Sequence, residues 1–342
     1  MDPSMMQLAN QQGGVIHVGQ LRQMYRWERI STWVGTGRLT AVGRGWLRVP
    51  DAGSDLQARF TRAQTQIAEP IIACSFSAAG FFGINTCDDG KLHVTTASGH
   101  SVSVPSDVVL HQAPPRSPIS SWPGMRVTDR ADTVVDVATA VGEIDVLAIL
   151  DAAAVVGLQS CQVAAALERA ARRRGVVQVR RWLPYMDCRS ASPMESRTRT
   201  RLLAHGLPAP DLQIRVLTSS GVKFLDLGWE QYRVGADYEG QEFHTGDGRM
   251  SKDRRRHNAI TDGEWRMFYP TARDIYSDYR AFASMVERAL RAAGWQEPLH
   301  PPRCGSWLRA RIYPLICPIC RAVRHDHHRN GSRASQHPRQ PS

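Results

Sequence analysis

Two short runs in the second half of the chain constrain its fold more than any other feature. Residues 222–229 carry Leu225, Asp226, Leu227, Gly228 and Trp229, and residues 233–239 carry Val234, Gly235, Ala236, Asp237, Tyr238 and Glu239. Side chains of a strand alternate faces, and only a short turn separates the two runs. A hairpin is the simplest structure that satisfies both. Strand alternation sets Leu225 and Leu227 on one side and Asp226 on the other. It also aims Asp237 and Glu239 the same way and brings Asp226 to their edge. Clustered carboxylates repel unless a cation or a proton lies between them. Carboxylates around a hard divalent ion are what metal-assisted phosphodiester cleavage requires.

The surrounding sequence extends this into a multidomain α/β plan. In residues 1–50, a short apolar start at Val15 and Ile16 precedes a helix with Val18, Leu21 and Met24 at helical spacing. A second stripe of Trp27, Ile30 and Val34 follows, with Arg26 and Arg29 beside it. Gly35, Thr36 and Gly37 stop that helix, and residues 39–49 read as a hairpin turning at Gly43, Arg44 and Gly45. The order predicts an N-terminal winged helix-turn-helix, with Arg26, Arg29, Arg38 and Arg44 as DNA contacts. Residues 51–128 are mixed. A helix is expected over 57–68, strands over 92–95, 101–104 and 108–111, and a loop over 114–123. His93, His100 and His111 are scattered and mark no site. Residues 129–185 form a helical middle, where arginines 169, 172, 173 and 174 close a helix and complement its dipole.

Residues 186–298 read as helix, three-strand meander, helix, strand, helix. Ser192, Pro193 and Glu195 open the first helix as a full capping box, which accounts for Glu195 as well as a metal role would. Lys252, Arg254, Arg255 and Arg256 lie on a helix over 251–261, where they either grip phosphates or face solvent. A single closing helix is expected over 272–293. Residues 299–342 hold eight arginines against one acid and are rich in Pro, His and Ser. This composition predicts a disordered basic tail, and its one CxxC at Cys317 and Cys320 lacks a well-spaced second half for zinc.

Composition bears on partners and compartment. The net charge of +11 favours polyanions such as DNA. Yet only three of the 43 basic residues are lysine, a skew that a GC-rich genome explains without DNA binding. Seven spread cysteines suit a reducing cytoplasm better than a disulfide framework. Residues 1–12 lack the form of a signal peptide, and Asp136, Glu143, Asp145 and Asp151 interrupt the longest apolar stretch, so no membrane span is expected.

The run Ser192-Pro193-Met194-Glu195-Ser196-Arg197-Thr198-Arg199 resembles the start of a Vsr-like endonuclease domain of the PD-(D/E)XK superfamily. Leu207-Pro208-Ala209-Pro210 with Gln213, then residues 224–229, then Asp237-Tyr238-Glu239-Gly240 and His244 continue the pattern in order. Asp253-Arg254 and Gly263-Glu264-Trp265 complete it over residues 187–295. The N-terminal unit resembles the winged helix of AbiEi-type antitoxins, through Gly13-Gly14-Val15, Leu21, Gly37-Arg38-Leu39 and Arg44-Gly45. These resemblances imply a PD-(D/E)XK-like mixed sheet flanked by helices and a DNA endonuclease dependent on Mg²⁺ or Mn²⁺. They imply Asp226, Glu239 and Glu195 as metal ligands, Asp237 as their support, and His244 as proton shuttle. DNA is the implied partner, with a cognate toxin as a possible second. The family usually places Glu before Asp where Asp237 and Glu239 stand, and a lysine where Gln241 stands. These departures keep open a non-catalytic regulator or antitoxin with a degenerate nuclease fold.

Overall fold

The computed structural model describes residues 2–43, 45–50, 55–67, 69–84, 86–98, 102–122, 125–218, 221–238 and 265–296. The protein is mixed α/β, with three sheets among these residues. No described helix is long and apolar enough to cross a membrane. Contacts divide the chain into two compact units. One is Met1–Val141 with Arg169–Arg173; the other is Gly142–Glu168 with the described residues from Arg174 onward. The division therefore falls inside the 129–185 segment.

The first unit begins with a helix that sequence periodicity did not signal, α1 (Pro3–Gln11), capped by Asp2. Strand β1 (Val15–His17), helices α2 (Val18–Met24) and α3 (Trp27–Gly35), and strands β2 (Thr40–Gly43) and β3 (Trp46–Arg48) follow. The three strands pair antiparallel in the order β1-β3-β2. The core takes Leu21 from α2 and Ile30 with Trp33 from α3. The expected stripe of Trp27, Ile30 and Val34 is thus rotated. Trp33 packs edge-on against Tyr25 and turns inward, which leaves Trp27 and Val34 exposed.

After α4 (Asp55–Gln66) comes a five-stranded sheet in the order β6-β5-β4-β8-β7. Its strands are β4 (Ile71–Ala73), β5 (Leu92–Thr96), β6 (Val108–Leu110), β7 (Ser120–Trp122) and β8 (Met125–Val127), with α5 (Ser75–Phe81) between β4 and β5. Two expectations fail here. Residues 102–104 form no strand, because Val102 and Val104 pack as side chains against the core while their backbone stays outside the ladder. Part of the expected 114–123 loop pairs instead, as β7 against β8. Helix α6 (Arg130–Ala140) closes the unit, capped by Asp129.

The second unit holds α7 (Glu143–Val155), α8 (Ser160–Arg169, whose last residue groups with the first unit), α9 (Val176–Trp182) and α10 (Pro193–Ala204). A four-stranded sheet follows in the order β12-β11-β10-β9, from β9 (Asp211–Thr218), β10 (Gly221–Trp229), β11 (Val234–Ala236) and β12 (Arg266–Phe268). Strands β9, β10 and β11 are an antiparallel meander, and β12 joins β11 in parallel. The expected single closing helix is two, α11 (Ala272–Tyr276) and α12 (Tyr279–Ala292). The chain turns at Ser277 and Asp278, where both backbone N–H groups bond back to the Arg273 carbonyl. Phe282, Val286 and Leu290 of α12 cover one face of the sheet with Leu227, Trp229, Val234 and Ala236.

The four acids that interrupt the apolar stretch 134–158 each meet arginine. Asp136 pairs with Arg116 and Arg173, Glu143 with Arg181, Asp145 with Arg197, and Asp151 with Arg199. The arginine cluster over 169–174 therefore does more than complement a helix dipole. Arg169 reaches Asp132 at 2.8 Å, and Arg173 reaches Asp136.

Candidate functional site

The meander does bring Asp226 beside Asp237. The register that pairs Leu227 with Ala236 sets Asp226 opposite Asp237 one step further along. The two side chains exchange backbone partners. The Asp226 N–H donates to Asp237 Oδ1 at 2.9 Å, and the Tyr238 N–H donates to Asp226 Oδ2 at 3.0 Å. Asp237 is buried, and its own N–H donates to the Phe268 carbonyl of β12 at 3.0 Å. Each carboxylate is therefore oriented by the segment that carries the other. Bonds of this kind fix ligating carboxylates in metal sites.

A break in the sheet lies at this point. Gln213 of β9 stands opposite Asp226 of β10, and this is the one pair skipped in an otherwise continuous register. Gln213 has φ of 52°, the left-handed region that a non-glycine residue rarely enters. The break resets strand alternation. Leu225 packs with Ile214, Val216 and Trp265, whereas Leu227 packs with Leu212, Trp229 and Phe282. Two glycines confirm the opposite faces. A Cβ on Gly228 would meet Ile214 Cδ1 at 3.2 Å, and one on Gly235 would meet Leu225 Cδ1 at 3.2 Å. The expectation that Leu225 and Leu227 share a side is thus incorrect, because the left-handed residue opposite Asp226 interrupts the pleat between them. Irregularities of this type re-aim side chains and recur beside active sites.

Glu195 joins the row through Gln213. Its Oε2 accepts the Ala191 N–H at 2.9 Å and lies 3.4 Å from Gln213 Nε2. The expected capping box is half made. Ser192 Oγ accepts the Glu195 N–H at 3.2 Å, but the returning carboxylate bonds Ala191 rather than Ser192. The rest of the 192–199 run packs against α7. Ser196 donates to Asp151 at 2.6 Å, Arg197 pairs with Asp145 at 2.7 Å, and Arg199 holds both Asp151 oxygens at 2.8 and 2.6 Å. Burial pushes Asp151 up to about 6, against the pull of Arg199, Ser196 and the Asp187 N–H.

Glu239, His244, Lys252, Arg254, Arg255, Arg256 and Arg44 lie outside the described residues, as does the tail with its CxxC. Among the described residues no group of three His, Cys, Asp or Glu is placed to hold a metal ion. Arg26, Arg29 and Arg38 are exposed. Arg29 stacks over Trp33 and Tyr25, at 5.0 and 5.3 Å from the ring centroids, and Arg22 stacks over Trp27 at 5.2 Å. Together with exposed Met24, Trp27 and Val34, they give α2 and α3 a surface that is both basic and apolar.

Nothing in the sequence spacing of His93 and His111 signals that they meet. His93 lies on β5 and His111 directly follows β6, and their ring nitrogens Nδ1 and Nε2 are 2.8 Å apart. The expectation of scattered, unconnected histidines fails because the parallel pairing of β5 with β6 aligns residues 16 positions apart and so brings His111, just past β6, beside His93.

No protein-family model matches the chain. It is similar to two proteins of Mycobacterium tuberculosis, both described as uncharacterized, from strains CDC 1551 and H37Rv. In each case the identity is 28% over 272 residues, which cover 78% of this chain and 97% of the relative.

Proposed function

We propose that the protein binds DNA through its N-terminal unit and cleaves phosphodiester bonds with a Vsr-like, metal-dependent site in its second unit. The observation that carries the reading is the reciprocal bonding of Asp226 and Asp237 at the sheet break. Apolar packing gains nothing from two adjacent acids, and clustered negative charge weakens a surface that only grips phosphates. Oxygen donors of this kind fit Mg²⁺ or Mn²⁺, which is bound by one or two carboxylates with water and phosphate oxygens. Asp226 and Asp237 would hold the ion, together with Glu239, and Glu195 would keep Gln213 against Asp226. A bound ion would supply Lewis-acid polarisation and a water of lowered pKa. His244 would carry the proton.

The N-terminal unit is read as a winged helix-turn-helix. Helices α2 and α3 precede a short antiparallel hairpin, and Arg29, held over Tyr25 and Trp33, lies on the exposed side of α3. Arg26, Arg29 and Arg38 would contact the phosphate backbone.

A specific observation favours a second reading, a non-catalytic DNA-binding regulator. Glu195 already serves Ala191 and Gln213, so the helix acid has structural work without a metal. One assay separates the two. Full-length protein with Mg²⁺ or Mn²⁺ is expected to nick supercoiled plasmid, and Asp226→Asn to slow nicking on the order of a hundredfold or more. Equal rates for wild type and Asp226→Asn, or no nicking with either ion, reject the enzyme and leave the binder.

A further inference from the structure

The first unit contains a second polar site, independent of the acids in the second unit. Strand β5 sends Leu92 and Val94 into the apolar core and, by alternation, His93 and Thr95 toward the opposite face. On that face a chain of hydrogen bonds runs from Asp89 through His93 to His111. His93 Nε2 is 2.9 Å from Asp89 Oδ1, and His93 Nδ1 is 2.8 Å from His111 Nε2.

The partners determine the tautomers. Burial acts to raise Asp89, but the bonds from His93 and the Lys91 N–H hold it below the usual carboxylate range, so it accepts only. A neutral His93 that donates from Nε2 to Asp89 presents a lone pair at Nδ1, and His111 then donates from Nε2 and keeps a lone pair at its own Nδ1. Burial, and then the nearby His93, lower the His111 pKa and favour this neutral form.

His111 lines a cavity of about 350 Å³. Arg116, Asp129, Asp132, Asp136 and Arg173 form its charged wall, and Cys74 and Pro114 are among its less polar residues. Asp132 is 3% exposed, and its Oδ2 has no hydrogen-bond partner among the described residues. The same holds for Arg116 Nε, which lies 3.9 Å from Asp132 Oδ1. A buried carboxylate oxygen and a guanidinium N–H are costly without a partner, and these two neighbours in one wall are suited to share a bound molecule or an ordered water.

We propose that this cavity binds a small neutral heterocycle of nucleobase size, whose adjacent N–H donor and ring or carbonyl acceptor meet Asp132 and Arg116 and whose second donor meets His111 Nδ1. The volume is at the lower end of the range for small-molecule pockets, which suits one ring system. The wall charges already have ionic partners, Arg116 and Arg173 on Asp136 and Arg169 on Asp132 and Asp129, so an ionic ligand would bring an uncompensated charge beside them.

The test titrates the full chain with adenosine, guanosine, cytidine and uridine, and follows Tm and the His111 imidazole resonances. At least one nucleoside is expected to raise Tm saturably and to shift the His111 signals. His111→Gln is expected to weaken that nucleoside at least tenfold. Because variants in the wall risk the fold, Ala113→Trp is the second arm. Ala113 lines the cavity at an exposed position, and the indole would fill it. The proposal is overturned if none of the four nucleosides moves Tm or His111 at millimolar concentration, which would leave water as the partner of Asp132 and Arg116. It is equally overturned if binding survives in both variants.

Discussion

Asp151 and Arg199 form a buried ion pair whose side chains are 2% and 4% exposed. Four hydrogen bonds serve the Asp151 carboxylate, from Arg199, Ser196 and the Asp187 N–H. Burial nevertheless favours the protonated acid in the fold, with a pKa of about 6 against an ordinary 3.8. A raised pKa contributes stability that is complete below about pH 4 and is lost as pH rises through about 6. The stability difference between wild type and Asp151→Asn should therefore shrink as pH rises across that window. Urea denaturation of both proteins from pH 4 to 7 checks this, and a constant difference would contradict it. At the same scale, Gln213 shows what residue identity conceals. Its left-handed backbone is unremarkable in the sequence, yet it decides which way Leu225, Asp226 and Leu227 face.

Strands β10 and β11 meet through Gly228 and Gly235, which are paired directly. A Cβ on Gly228 would lie 2.6 Å from the Val234 carbonyl oxygen, a backbone atom that cannot turn aside. Gly228→Ala should accordingly cost about 1–3 kcal/mol and loosen the register that joins Asp226 to Asp237. Chemical denaturation measures the first effect, and protection of the Asp226 and Tyr238 amides from hydrogen exchange measures the second. Helix α3 makes a different prediction. If Arg26 and Arg29 contact phosphates, the double alanine variant should bind duplex DNA more weakly whatever its sequence. The slope of log K against log salt should fall by about two, since each contact contributes roughly 0.9. An unchanged slope would move the DNA surface away from α3.

For the whole molecule, ion binding at the second unit should be visible without a substrate. Mg²⁺ or Mn²⁺ is expected to raise the Tm of the full chain, as any ligand selective for the native state does, and Asp226→Asn should abolish the shift. An equal shift in both proteins would place the ion elsewhere.

Much of the element plan was legible in the sequence. The α2, α3 and hairpin order, the helix from Pro193 and the three-strand meander follow from apolar period, caps and glycine stops, which act over a few residues. The adjacency of Asp226 and Asp237 was legible for the same reason, because a short turn leaves antiparallel neighbours little choice of register. What the sequence could not determine involves partners distant in the chain. Arginines 173, 197 and 199 meet acids 37 to 52 residues earlier, and nothing local selects among the forty arginines. The meeting of His93 with His111, the half-made capping box at Ala191 and the broken pleat at Gln213 depend likewise on which elements pack together. Local patterns specified the helices and strands because backbone hydrogen bonding is short-ranged. Only tertiary packing chose the pairs, because burial forces each polar group to find a donor or acceptor wherever the fold supplies one.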